Sequence, residues 1–325
     1  MSTGTRHLID PELLPALEMF PPQHVFSEDS IAGLRSMITQ ALSALAGAPL
    51  PPGLVRSEVF IPGPAGAPDV RALLYRPIAA EGLKPAILHI HGGGYLIGSP
   101  EINDARNRQL AIDLGVVILS VDYRLAPETR YPGALEDCYA ALLWLQEQAE
   151  DLQLDRRRIA LLGESAGGGL AAALALYARD RGEVAPIFQQ LIAPMIDDRT
   201  AVRDDLDPHL GEFTWSQAAN AFGWRALLGR DPGGPDIPAY AAAARAEALA
   251  GLPPTYIGVG ALDLFVEEDM EYARRLVRAG VPVELHVLPG AFHGFELGAM
   301  TGAGVALTAN AMAVAALRKA LEPRP

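Results

Sequence analysis

From residue 85 onward the chain alternates between short strand-like segments, most of them largely apolar, and longer segments in which apolar residues recur every three or four positions. The segments at 85–90, 116–121, 159–162, 187–192, 256–259 and 283–287 read as strands, most of them rich in Ile, Val and Leu. Between and after them, 102–114, 132–148, 168–179, 267–278 and 304–321 read as helices. Apolar strands alternating with helices predict a mostly parallel sheet with helices on both sides. Two earlier segments, 54–61 and 70–75, flank Pro62-Gly63-Pro64-Ala65-Gly66 and read as an antiparallel hairpin. The expected fold class is therefore α/β, with a central sheet of about eight strands.

Two stretches depart from the alternation. Residues 1–50 carry helical patterns broken by Pro11, Pro15, Pro21 and Pro22, with Pro51 and Pro52 at their end. Residues 200–236 place Phe213, Trp215, Phe222 and Trp224 outside any strand, so these large apolar rings must bury against something other than the sheet.

The chemistry-bearing motifs sit where strands end. Gly163-Glu164-Ser165-Ala166-Gly167 joins the run at 159–162 to an alanine-rich helix. A serine on so sharp a strand-to-helix turn exposes its Oγ, and the flanking glycines leave room for the crossing. His91-Gly92-Gly93-Gly94 follows the run at 85–90, and consecutive glycines let backbone N–H groups approach a developing negative charge. Downstream come Asp263, after the run at 256–259, and His293, in the turn Gly290-Ala291-Phe292-His293-Gly294-Phe295. The order Ser, Asp, His at the carboxyl ends of strands is that of an acyl-transfer triad on an α/β sheet.

Taken together, His91-Gly92-Gly93-Gly94-Tyr95 with Gly98-Ser99, Asp122-Tyr123-Arg124-Leu125-Ala126-Pro127-Glu128, the Ser165 turn, Asp263-Leu264 and Phe292-His293-Gly294-Phe295 resemble the hormone-sensitive-lipase-like carboxylesterases, bacterial family IV of the α/β-hydrolases. The likeness runs from about residue 55 to the end in matching order and spacing. It implies a serine esterase acting on short- to medium-chain acyl esters. Ser165 is then the nucleophile, His293 the general base and Asp263 the orienting acid. The backbone N–H groups of Gly93, Gly94 and Ala166 are the expected oxyanion donors, with His91 holding the glycine loop. It also implies a helical cap made from 1–50 and 200–236, over a core formed by 51–199 and 237–325. Tyr95, Trp215 and Phe222 are the expected substrate-binding side chains. Related enzymes often pair through the last strand, here 283–287, so a homodimer is an expected assembly. Lactone, amide or carbamate hydrolysis and acyl transfer use the same machinery, and a ligand-binding protein on this fold needs the loss of a catalytic group, none of which is missing here.

Rival residues have ordinary explanations. His89 and His286 fall within strands, as satisfied core or face histidines do; His7, His24 and His209 fall in the cap segments, where exposure is expected. Glu267, Glu268 and Asp269 open a helix and complement its dipole. Asp197 and Asp198 are the second choice for the acid. Glu164 departs from the family's usual aspartate or threonine and is expected to serve the dipole of the following helix. Arg124 and Glu128 are expected to pair with each other.

Composition narrows the remaining choices. With 325 residues, half of them hydrophobic, the chain can bury a large core. A net charge of −13 disfavours nucleic acid and anionic membrane surfaces as partners, and a small-molecule ester remains. The single cysteine, Cys138, lies in a helical run and reads as a buried structural thiol, in keeping with a cytoplasmic setting. Neither signal-peptide patterning nor a run of about 18 apolar residues occurs, so no stable membrane association is expected. No metal-ligand cluster or phosphate-cradling loop is recognisable, and no cofactor is expected.

Overall fold

The computed structural model describes residues 4–19, 27–45, 49–64, 66–78 and 82–323. Its regular elements are, in order, α1 (Leu14–Leu17), α2 (Glu28–Leu45), β1 (Leu54–Ile61), β2 (Val70–Pro77), β3 (Lys84–Ile90), α3 (Asp104–Leu114), β4 (Val117–Val121), α4 (Gly133–Glu147), β5 (Leu154–Glu164), α5 (Ala166–Arg181), β6 (Phe188–Ile192), α6 (Gln217–Leu228), β7 (Thr255–Gly260), α7 (Val266–Arg278), β8 (Val283–Leu288) and α8 (Gly304–Leu321). His24 lies outside the described residues.

The strands form one eight-stranded sheet in the order β1-β2-β4-β3-β5-β6-β7-β8. The hairpin pairs Leu54 with Pro77 through to Ile61 with Val70, and β2 joins β4 antiparallel. From β4 to β8 every pairing is parallel. Strands β3, β4, β6 and β7 are buried along their whole length, because helices cover both faces of a parallel sheet.

Strand periodicity sorts the core into two layers. Ala86, Leu88 and Ile90 of β3 face the side packed by α4, α5 and α7, together with Leu119, Leu161 and Leu142. Ile87 faces the other side with Ile118, Leu162, Leu110 of α3 and Leu317 of α8. Cys138 is fully buried in the first layer.

The topology itself marks where a site can form. From β3 the chain crosses to β4 on one side, and then returns to β5 on the other side of β3. Such a reversal, above the carboxyl ends of the strands, is where α/β sheets place their ligands. The glycine triplet and Ser165 occupy the loops leaving β3 and β5.

Candidate active site

Ser165 follows β5 directly and caps α5 with φ 55° and ψ −121°, a conformation that L-residues rarely adopt. Its neighbours enforce it: the Ser165 N–H donates to the Ile192 carbonyl at 2.8 Å, and the Ser165 carbonyl accepts from Met195 N–H at 2.9 Å and Gly169 N–H at 3.0 Å. The crossing is tight enough that a Cβ on Gly167 would stand 2.0 Å from the Ile90 carbonyl oxygen. Only glycine fits there.

Three side chains converge on this turn. Ser165 Oγ lies 2.9 Å from His293 Nε2, and His293 Nδ1 lies 2.8 Å from Asp263 Oδ2. A carboxylate only accepts, so Nδ1 carries the proton and Nε2 accepts from the serine hydroxyl. Asp263 is fully buried, and its other oxygen accepts the Phe265 N–H at 3.0 Å. The Phe265 ring meets the imidazole edge-on, with centroids 5.2 Å apart. Burial works against protonation of His293, but the charge and hydrogen bond of Asp263 outweigh it and hold the imidazole pKa above its ordinary value. Glu296 contributes to that rise, and burial pushes Glu296 itself up to about 7.

The glycine loop faces the same point. A Cβ added to Gly92 would come 3.4 Å from Ser165 Cβ, which places the loop against the serine. Among the described residues, the backbone N–H groups of Gly93, Gly94 and Ala166 donate to no protein acceptor. Unclaimed N–H groups beside a hydrogen-bonded serine, imidazole and carboxylate can accept negative charge on an oxygen bonded to that serine. His91 is fully buried and stacked on Tyr123 at 4.3 Å, and its Nδ1–H donates to the Gly92 carbonyl at 2.8 Å. Desolvation drives its pKa down to about 4, so it is neutral at pH 7 and holds the loop as a hydrogen-bond donor.

The expected substrate-binding side chains divide. Trp215 closes over the glycine loop: a Cβ on Gly94 would stand 2.1 Å from its Cη2, and its ring lies 6.3 Å from the His293 ring. Phe222, on α6, is half-buried against the main core. Tyr95 requires correction, because it is fully buried and its hydroxyl donates to the Met195 carbonyl at 3.0 Å. It packs the glycine loop against the β6 exit and offers no surface to a ligand.

Three further expectations change. Glu164 is engaged elsewhere than at the helix start: its carboxylate accepts from His89 Nε2 of β3 at 3.0 Å and from Arg106 of α3 at 2.6 Å. Burial raises its pKa, but His89 and Arg106 outweigh that and hold it below the usual glutamate value. Arg124 pairs bidentately with Asp137 instead of Glu128, because the backbone N–H of Arg124 also reaches that buried carboxylate at 2.9 Å. Glu268 and Asp269, expected only to complement the dipole of α7, are also buried, since they fall on the face of the helix that carries Tyr272 and Leu276 into the core. Desolvation, followed by the neighbouring negative charges, pushes both carboxyls well above their ordinary range.

The rival residues are accounted for. Asp198 is clamped by Arg245, Asp197 pairs with Arg199 at 2.7 Å, His209 pairs with Asp207, and His286 with Glu284 at 2.9 Å. His7 is exposed.

Comparison with known proteins points the same way. The alpha/beta hydrolase fold family matches residues 87–297. Esterase LipI of Mycobacterium tuberculosis is 36% identical over 290 residues, covering 88% of this chain and 88% of its own. Carboxylesterase NlhH of the same organism is 33% identical over 328 residues and 98% of each chain. Among solved structures, a bacterial heroin esterase superposes with a TM-score of 0.90 at 39% identity, covering 98% of this chain and all of its own. The chain thus belongs to the carboxylic ester hydrolases of the α/β-hydrolase fold, in the hormone-sensitive-lipase-like group.

Proposed function

We propose that the protein hydrolyses short- to medium-chain acyl esters through an acyl-enzyme formed on Ser165. His293 takes the serine proton as Oγ attacks the ester carbonyl, and gives it to the departing alcohol. It then activates a water that releases the acid. Asp263 fixes the imidazole tautomer and stabilises the imidazolium. The tetrahedral oxyanion is received by the N–H groups of Gly93, Gly94 and Ala166. The observation that carries this reading is the continuous chain from Ser165 Oγ to His293 at 2.9 Å and on to Asp263 at 2.8 Å.

The described parts of residues 1–50, together with 200–236, act as a cap over the triad, with Trp215 as one wall; residues 1–3, 20–26 and 46–48 lie outside the described residues. That ring stands where a side chain on Gly94 would go, against the glycine loop.

The test is turnover of p-nitrophenyl esters from acetate to dodecanoate, with a lactone and an anilide alongside. Ser165→Ala should lower ester turnover by roughly four to six orders of magnitude while the protein stays folded. A fluorophosphonate probe should label Ser165 alone. Undiminished turnover in Ser165→Ala, or labelling at another residue, would overturn the mechanism; a rate that keeps rising toward dodecanoate would overturn the acyl-length reading.

A further inference from the structure

The turn that carries the glycine N–H groups is short and held by few bonds of its own. Leu96 and Ile97 donate their N–H groups to the Gly93 carbonyl at 3.0 and 3.1 Å, and the Leu96 carbonyl points away toward α2. There Arg35 Nε donates to it at 2.7 Å. The same guanidinium donates from Nη2 to the Ala126 carbonyl at 2.7 Å and grips Glu128 with both terminal nitrogens at 2.8 and 3.0 Å. Ala126 in turn donates its N–H to the Tyr95 carbonyl at 2.9 Å, so the two loops are also tied to each other.

One side chain from α2 thus satisfies two backbone carbonyls and one carboxylate, drawn from the loops that follow β3 and β4. Only the planar fork of arginine presents donors in three directions at fixed angles. The arrangement is partly shielded, with the Arg35 side chain 26% exposed. Its partners Leu96 and Ala126 are themselves buried, so their carbonyls would lose a partner in a place that water reaches poorly. The turn would then relax. Donors to an oxyanion act through fixed geometry, and displacement by a fraction of an ångström weakens them steeply.

We propose that Arg35 is a positioning residue for the glycine turn, and that α2 thereby helps to set the geometry of the acyl-transfer site in addition to covering it. This rests on the reading of Gly93 and Gly94 as oxyanion donors. Arg35 touches no reacting atom, and its effect passes through Leu96 to the turn.

The experiment compares the wild type with Arg35→Ala and Arg35→Gln, the second keeping a polar side chain of shorter reach without the charge or the fork. Three quantities are read: kcat and KM for p-nitrophenyl butyrate, the inhibition constant of a butyl trifluoromethyl ketone, and the melting temperature. The ketone forms a tetrahedral adduct whose oxyanion needs the same donors. Both variants should lose kcat by about 10- to 100-fold with KM changed less than about threefold, and the ketone should weaken by a factor matching the loss in kcat/KM. A wild-type kcat in either folded variant, or a loss confined to KM with the ketone unaffected, overturns the proposal. Ser165→Ala, assayed in parallel, separates the two readings. Should it stay active, the acyl-enzyme mechanism itself falls; should it be inactive while the Arg35 variants turn over normally, only the role of Arg35 falls.

Discussion

Thr214 Oγ1 lies 2.6 Å from the carbonyl oxygen of His293, and equally close to that of Phe213, so the hydroxyl's one proton bridges the segment that interrupts the strand-helix alternation and the turn that presents the imidazole. Thr214 itself adopts φ 63°, a conformation costly for a β-branched residue and retained here by its surroundings. Replacing it with valine keeps the shape and removes the donor. Thr214→Val should lower kcat several-fold to tenfold by loosening His293. Steady-state kinetics at saturating ester check this; an unchanged kcat in a folded variant counts against a role for the contact.

The charge around His293 sets the acid limb of activity. The proposed general base His293 must be neutral in the free enzyme, and Asp263 and Glu296 both raise its pKa, so kcat/KM should fall off on acidification at a pH above the ordinary histidine value of 6.5. Glu296→Gln removes one of those charges, and the limb should move to lower pH. A pH profile of kcat/KM reads both effects, and a limb that moves upward in Glu296→Gln would contradict the assignment.

Gly94 combines a positive φ of 61° with the indole of Trp215 where a side chain would go. An alanine there must both strain the backbone and displace the ring. Gly94→Ala should reduce kcat by about 100-fold or more if its N–H is an oxyanion donor. The double variant Gly94→Ala with Trp215→Ala relieves the clash but not the strain, so it should recover only part of the loss. Full recovery would assign the whole effect to crowding.

Asp269 is fully buried, and neither of its carboxyl oxygens has a hydrogen-bond partner among the described residues. Desolvation, then the charges of Glu268 and Asp263, raise its folded-state pKa. The native state therefore holds a proton that the unfolded chain releases near the usual aspartate value. That contribution is fully present below the unfolded pKa and is lost as pH rises toward the folded one. Asp269→Asn cannot ionise, so the decline in melting temperature from pH 5 to pH 9 should be shallower than in the wild type. Parallel declines in the two proteins would show that the carboxyl does not titrate in this way.

Much of the frame was legible from local pattern. Strands β3, β4 and β7 appear as largely apolar runs because both their faces are covered, whereas edge strand β8 carries Glu284 and His286 and is half-exposed, and the hairpin appears as two strand-like segments around a turn rich in Pro and Gly. β5 extends at both ends beyond its apolar run, since Leu154 pairs with Lys84 and Glu164 with Ile192 while the residues between Leu154 and Ile159 are polar. Glu164, Arg124 and Tyr95 were less legible. Each has an ordinary local explanation, yet its partner comes from another element: His89 and Arg106 for the first, Asp137 for the second, Met195 for the third. The burial of Glu268 and Asp269 escaped for a related reason, as polar residues on a helix face give no hydrophobic signal of what packs against them.

By itself the sequence determined which segments become strands and helices, where the strand-end loops fall, and which residue types stand in those loops. These follow from periodicity and from the backbone freedom of glycine, both of which act over a few residues. Only the tertiary structure decided that Ser165 and His293, 128 positions apart, lie within one hydrogen bond, and that Arg35 on an early helix reaches Leu96 and Glu128. Such meetings depend on the order in which strands pair and on the side of the sheet each connection takes. Those are properties of the whole packed chain, and no local window carries them.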